Sequence, residues 1–87
     1  MEIFQISKSL GFKEKLTGII ICDLALLQKW LREIYNIDIE SRAVRFAGDE
    51  KSSYYQPYYN GSILTMKKFN SYEEALEEGL YQALLLV

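Results

Sequence analysis

Histidine is absent from the chain, and proline, tryptophan and cysteine occur once each. Lacking histidine, the chain has neither the side chain that most often acts as general base near neutral pH nor the commonest transition-metal ligand. A single cysteine, Cys22, excludes an internal disulfide, and no imidazole is present to activate it as a nucleophile. It sits in the apolar run TGIIIC from Thr17 to Cys22, which reads as a buried thiol in a reducing compartment. A basic excess is missing as well. Twelve acidic residues stand against ten basic ones, a net charge of −2, so nothing draws the chain as a whole to nucleic acid or anionic membrane. The longest apolar stretch, Gly18 to Leu27, is interrupted by Asp23 and is too short to span a bilayer. The opening Met-Glu-Ile-Phe lacks the basic segment of a signal peptide. A cytoplasmic protein with no membrane partner is expected. No phosphate loop, dinucleotide fingerprint, metal-ligand spacing or nucleophile elbow occurs. The reading is therefore not an enzyme, with no catalytic, cofactor-binding or metal-binding residues.

What is present is an ordinary globular mix: 87 residues, 49% apolar and 25% charged. This length suits a single domain, residues 1–87, that buries roughly 60–65% of its unfolded surface. The clearest element lies at residues 70–87. Ser71 and Glu74 form an S-x-x-E capping box. Tyr72, Leu76, Gly79, Leu80, Ala83, Leu84 and Val87 then recur at helical spacing, with Glu73, Glu74, Glu77 and Glu78 on the other side. Gly79 on the apolar stripe marks either a close helix approach or a tolerated weakness of about 1 kcal/mol relative to Ala. The four glutamates read as a solvated face near the positive end of the helix dipole.

Upstream, residues 2–10 form a short helix candidate with Ile3, Ile6 and Leu10 on one face and Gly11 as its stop. Residues 17–22 are either a short strand or a helix lead-in; periodicity does not separate the two. Asp23 is the expected N-cap of a helix over 24–35, whose buried stripe is Leu24, Leu27, Leu31, Ile34 and Tyr35. Trp30 flanks it as a core anchor, and Asn36 is a plausible stop. Three strand signals follow. Ile37, Ile39 and Ser41 alternate with polar residues, while Val44 and Phe46 take the opposite parity, which implies a bulge or two partly covered faces. A turn over 47–53 contains Gly48-Asp49. Tyr54 to Tyr59 is a second strand that Pro57 demotes to an edge or an irregular one. Asn60-Gly61 is a two-residue hairpin signal, and a third strand runs from Ser62 to Phe69. The expected fold class is α+β: a small three-stranded antiparallel sheet packed against two main helices, with a short N-terminal helix. Its core should hold Leu24, Leu27, Leu31, Ile34, Ile37, Ile39, Phe69, Leu76, Leu80 and Leu84.

Four tyrosines, Tyr54, Tyr55, Tyr58 and Tyr59, fall within six residues. Neighbours on a strand point to opposite faces, so each pair offers one inward and one outward ring, and outward tyrosines favour interfaces. Residues 41–69 also carry Arg42, Arg45, Lys51, Lys67 and Lys68 against Asp49 and Glu50, a local charge of +3. Aromatics interleaved with basic residues are how single-stranded nucleic acid is often held. The bland alternative is core rings plus cross-strand pairs on a wet face. Leu85 lies off the helical stripe and is expected to be exposed, with Leu86 and Val87 beside it.

The segments LLQKWLREIYNIDIE (Leu26–Glu40) and FNSYEEALEEGLYQALLLV (Phe69–Val87) resemble small prophage- and mobile-element-associated bacterial proteins of unknown function. In those proteins a QKWLRE helix leads into a strand and a TYEEALEEGL helix closes the chain. The resemblance implies a bacterial cell and a mobile genetic element. It implies no established activity and no functional residues. The expected role is a non-enzymatic accessory or interaction protein that meets a protein partner, or a second copy of itself, through the Tyr-rich edge or through Leu85, Leu86 and Val87. The alternative is a weak single-stranded nucleic-acid binder using Arg42, Arg45, Lys67, Lys68 and the outward tyrosines.

Overall fold

The computed structural model describes residues 2–45, 53–65 and 67–87, with the side chains of Glu2, Val44, Arg45 and Ser53 outside that description. Phe46, residues 47–52 of the turn predicted over 47–53, and the charges of Arg45, Asp49, Glu50 and Lys51 lie outside the described residues, while Ser53 belongs to a strand rather than to the turn. Among the described residues three helices and three strands follow the order α1 (Glu2–Ser9), α2 (Ile20–Tyr35), β1 (Ile39–Arg45), β2 (Ser53–Tyr59), β3 (Ser62–Ile63) and α3 (Tyr72–Leu86). The strands form an antiparallel sheet in the order β1-β2-β3. α3 lies against β1 and β2, and α1 and α2 pack against α3. The fold is the small α+β arrangement expected.

Local chemistry sets most boundaries. Ser71 has extended backbone and its Oγ accepts from Glu74 N–H at 3.2 Å, satisfying one of the unpaired donors of the first turn of α3. Asn36 takes a left-handed conformation, and both its N–H and that of Ile37 reach Leu31 O, which closes α2 in the manner of a Schellman cap. Asn60 and Gly61 both have positive φ, +48° and +85°, the pair of values a type I′ hairpin turn requires. Asn60 Oδ1 also accepts from Asp38 N–H at 2.6 Å, tying the turn to the start of β1.

The sequence between Thr17 and Cys22 resolves as a helix lead-in. α2 begins at Ile20, a turn before Asp23, and Ile19 stands at its N-cap with no side-chain bond. Asp23 therefore does not cap a helix beginning after it. Its carboxylate turns backward and accepts from Thr17 N–H (2.7 Å), Thr17 Oγ1 (2.8 Å) and Gly18 N–H (3.1 Å). The hydrogen bond from the Thr17 N–H, with help from the Thr17 hydroxyl and the Gly18 N–H, holds its carboxyl below the ordinary value against the opposing effect of burial. This turn aims the apolar run outward: Ile19 is 59% exposed and Ile20 40%. Cys22 is exposed rather than buried.

Pro57 produces the second departure. It does not lie on an edge, because β2 is the central strand. The register with β1 runs unbroken from Ile39↔Tyr59 to Arg45↔Ser53, so no bulge interrupts it. On an antiparallel strand alternate residues bond to opposite neighbours. Tyr55 exchanges bonds with Phe69, and Pro57 O accepts from Leu64 N–H at 3.0 Å, so Pro57 turns its missing N–H toward β3. The β1 ladder loses nothing, while the β3 ladder cannot be reciprocated at this pair. β3 accordingly ends at Ile63, and the predicted strand to Phe69 survives only as an isolated Tyr55↔Phe69 bridge.

The core gathers Ile3, Phe4, Phe12, Leu24, Leu27, Leu31, Ile37, Ile39, Leu76, Leu80, Ala83 and Leu84. α1 turns in Ile3, Phe4 and Ser7, while Ile6 and Leu10 are only partly covered. The far end of α2 is filled by an edge-to-face series, Phe12 on Trp30 (5.5 Å) and Trp30 on Tyr35 (5.3 Å), which leaves Ile34 61% exposed rather than in the core. Phe69 is half-buried. Gly79 is where α3 touches the sheet: a Cβ there would lie 2.7 Å from Ile39 Cγ2 and 3.0 Å from Pro57 Cβ. The glycine marks a close helix–sheet approach, and this contact defines which strand residues face α3.

Candidate interaction surfaces

The register assigns the tyrosines to two sides. Tyr55, Pro57 and Tyr59 share the α3 side with Ile39, Ser41 and Ala43, their cross-strand partners. Tyr59 packs on the core, and Tyr55 meets Tyr72 of α3 edge-on at 6.1 Å. Tyr54 and Tyr58 turn to the far side with Gln56, opposite Arg42 and Glu40. The expectation of one inward and one outward ring per pair describes this strand.

On the far side the groups are held together by charge. Arg42 Nε lies 2.8 Å from Glu40 Oε2, and its guanidinium carbon sits 4.4 Å from the Tyr58 ring centroid. Lys68 Nζ lies 5.9 Å from the Tyr54 centroid. Ile63, the cross-strand partner of Tyr58, is 41% exposed. Gln56, between the two rings on the strand, is buried. Tyr58 is thus bordered by a guanidinium on one strand and an aliphatic group on the other.

The remaining predicted residues do not join this cluster. Lys67 lies over Phe69, 5.3 Å from its centroid, and Phe69 is paired with Tyr55 on the α3 side. The Arg45 side chain is outside the described residues. Leu85 is 57% exposed on the last turn of α3, beside exposed Leu86 and Val87. Among the described residues the Tyr-rich segment is the central strand, bonded to β1 on one side and to β3 and Phe69 on the other, and not an edge.

A second feature escaped the sequence reading. Glu74, Glu77, Glu78 and Tyr81 follow one another at helical spacing along α3. With Ile3 of α1 and Phe69 they line a groove of about 360 Å³. The glutamate–tyrosine spacing was visible in the chain, but Ile3 and Phe69 are too distant in sequence to be placed beside it by periodicity. Among the described residues no group of three His, Cys, Asp or Glu is placed to hold a metal ion, and no helix is long and apolar enough to cross a membrane. Comparison of the chain with protein-family models, with curated proteins and with solved structures gives no match in any of the three.

Proposed function

We propose that the chain is a small non-enzymatic interaction protein, in a bacterial mobile-element setting, that engages a protein partner through the sheet face turned away from α3. The observation that carries this reading is Arg42 held between Glu40 and the Tyr58 ring on a half-open surface. Tyrosine and arginine are the side chains most enriched among interface hot spots. Side chains already ordered by their neighbours lose less freedom on binding, so more of the contact energy is realised as affinity. The nucleic-acid alternative is less well served. Arg42 is already ion-paired, and both outward rings carry a cation of the chain itself, whereas base stacking needs open ring faces.

The test is affinity capture from a bacterial lysate with the wild-type chain, the Arg42→Ala/Tyr58→Ala double variant and a Glu33→Gln control. A protein retained by wild type and control and lost with the double variant is expected. Retention that ignores the double variant, or no retention at all, refutes the reading. A salt titration with a labelled single-stranded oligonucleotide separates the alternative. Binding that falls steeply with salt and needs Tyr54 and Tyr58 transfers the surface to nucleic acid.

A further inference from the structure

We propose that the groove beside α3 receives a lysine or arginine side chain from a partner polypeptide, on the opposite side of the sheet from the Arg42–Tyr58 cluster and independently of it. Its lining divides in two. Ile3, Phe69 and Tyr81 supply apolar and aromatic surface, and Glu74, Glu77 and Glu78 supply carboxylates. Among the described residues none of these three glutamates has a basic group within 4.0 Å; the one polar contact of their carboxylates is Gln82 Nε2 donating to Glu78 Oε1 at 2.9 Å. Among the described residues, therefore, no ion pair neutralises the three carboxylates. The carboxylates are not arranged as a metal site, so the complementary cation is an organic one. The apolar lining asks that cation to carry a hydrocarbon stem, which is the make-up of a lysine or arginine side chain, apolar along its length and charged at its tip. Lys67 Nζ already lies 5.3 Å from the centroid of Phe69, in the range of a cation–π interaction, so the incoming stem is left Ile3, Tyr81 and the rest of the Phe69 surface. A volume of about 360 Å³ sits at the small end of the ~300–1,000 Å³ typical of ligand sites. That suits one long side chain and the residues next to it rather than a whole helix.

The experiment follows backbone amide, Ile3 methyl and Phe69 and Tyr81 ring signals of the full chain by NMR. The probe is the peptide acetyl-Leu-Lys-Leu-Lys-Leu-amide, and its twin acetylated on both lysines is the control. Saturable shifts at Ile3, Phe69 and Tyr81 are expected. Binding should be about tenfold weaker for the acetylated twin and for the Glu74→Gln/Glu77→Gln/Glu78→Gln variant, and about twofold to threefold weaker for Glu77→Gln alone. The single variant keeps the test decisive if the triple variant disturbs α3. Equal binding of the two peptides, or shifts that never reach Ile3, Phe69 and Tyr81, overturns the proposal. Shifts confined to the Arg42–Tyr58 surface also overturn it while leaving the reading of that surface intact. Loss of lysate capture in Arg42→Ala/Tyr58→Ala bears on that other face alone, so the two claims fail separately.

Discussion

The two faces of β2 share one backbone and are organised by different forces. Facing α3, Pro57 and Ile39 meet a glycine so closely that no β-carbon fits between them. Facing away, Tyr58 and Tyr54 are set beside Arg42 and Lys68 at 4.4 and 5.9 Å from their centroids, and Arg42 is braced by Glu40. The first face is governed by shape, which acts at short range and ignores salt. The second is governed by charge in contact with water, where interactions are weaker and are screened. Substitutions on the two sides should therefore differ in size and in their response to ionic strength.

The largest effect is expected at Gly79. Gly79→Ala adds a methyl group against the rigid Pro57 ring and the β-branched Ile39, both buried. Overpacking of this kind costs about 1–3 kcal/mol. It outweighs the roughly 1 kcal/mol that alanine gains over glycine inside a helix when the site is open. Urea unfolding of Gly79→Ala should show a lower midpoint with an unchanged slope, to the same extent in low and high salt. A variant more stable than wild type would mean that α3 lifts off the sheet freely, and shape would not be the governing force.

Next comes Gly61→Ala in the turn that joins β2 to β3. At φ +85° a β-carbon is strained, and about 1 kcal/mol of stability should be lost. Preservation of stability would show that the hairpin can adopt another turn. On the far side, a double-mutant cycle between Arg42→Ala and Tyr58→Phe or Tyr58→Ala should report a coupling of about 0.5–1 kcal/mol with Ala. With Phe, which keeps the ring and its contact with Arg42, the cycle should report a coupling near zero. The Arg42–Glu40 pair should contribute about 0.2–1 kcal/mol and shrink in 1 M salt. A coupling that grows with salt, or that exceeds the Gly79 effect, would break the contrast between the faces.

The same contrast separates what was readable in the chain from what was not. Signals satisfied within a few residues were legible: the Ser71 cap, the Asn36 stop and the Asn60-Gly61 turn each require only their own neighbours. The α3 stripe was legible for Leu76, Gly79, Leu80, Ala83 and Leu84, which are buried, and failed at its ends, where Tyr72 and Val87 are 38% and 39% exposed. An apolar run says that cover is wanted and not where it comes from. Ile19, Ile20 and Cys22 were misread as buried because the backward reach of Asp23 to Thr17 and Gly18 turns them out. Pro57 was misread because its tolerance depends on which neighbour its missing N–H faces, a property of register rather than of composition. Of the interaction surface, the alternation of the tyrosines was legible. The pairing of Arg42 with Tyr58, the departure of Lys67 to Phe69 and the groove at Ile3 needed the assembled sheet.

The smallest effect, and the sharpest probe of the shape-governed face, is expected at Ser41. It lies opposite Pro57 on the α3 side and is 8% exposed, and among the described residues its Oγ has no hydrogen-bond partner. A buried hydroxyl left unpaired has lost its hydration and gained nothing in return. Removing it takes away an unfavourable group along with a single atom's packing. Ser41→Ala should leave stability within about 0.5 kcal/mol of wild type or raise it slightly, in contrast to the usual cost of breaking a buried hydrogen bond of about 1 kcal/mol or more. If Ser41→Ala instead lowers the urea midpoint by an amount comparable to Gly79→Ala, the hydroxyl is being satisfied between α3 and the sheet. The covered face would then depend on a polar contact as well as on fit. That outcome would narrow the difference between the two sides of β2 from one of kind to one of degree.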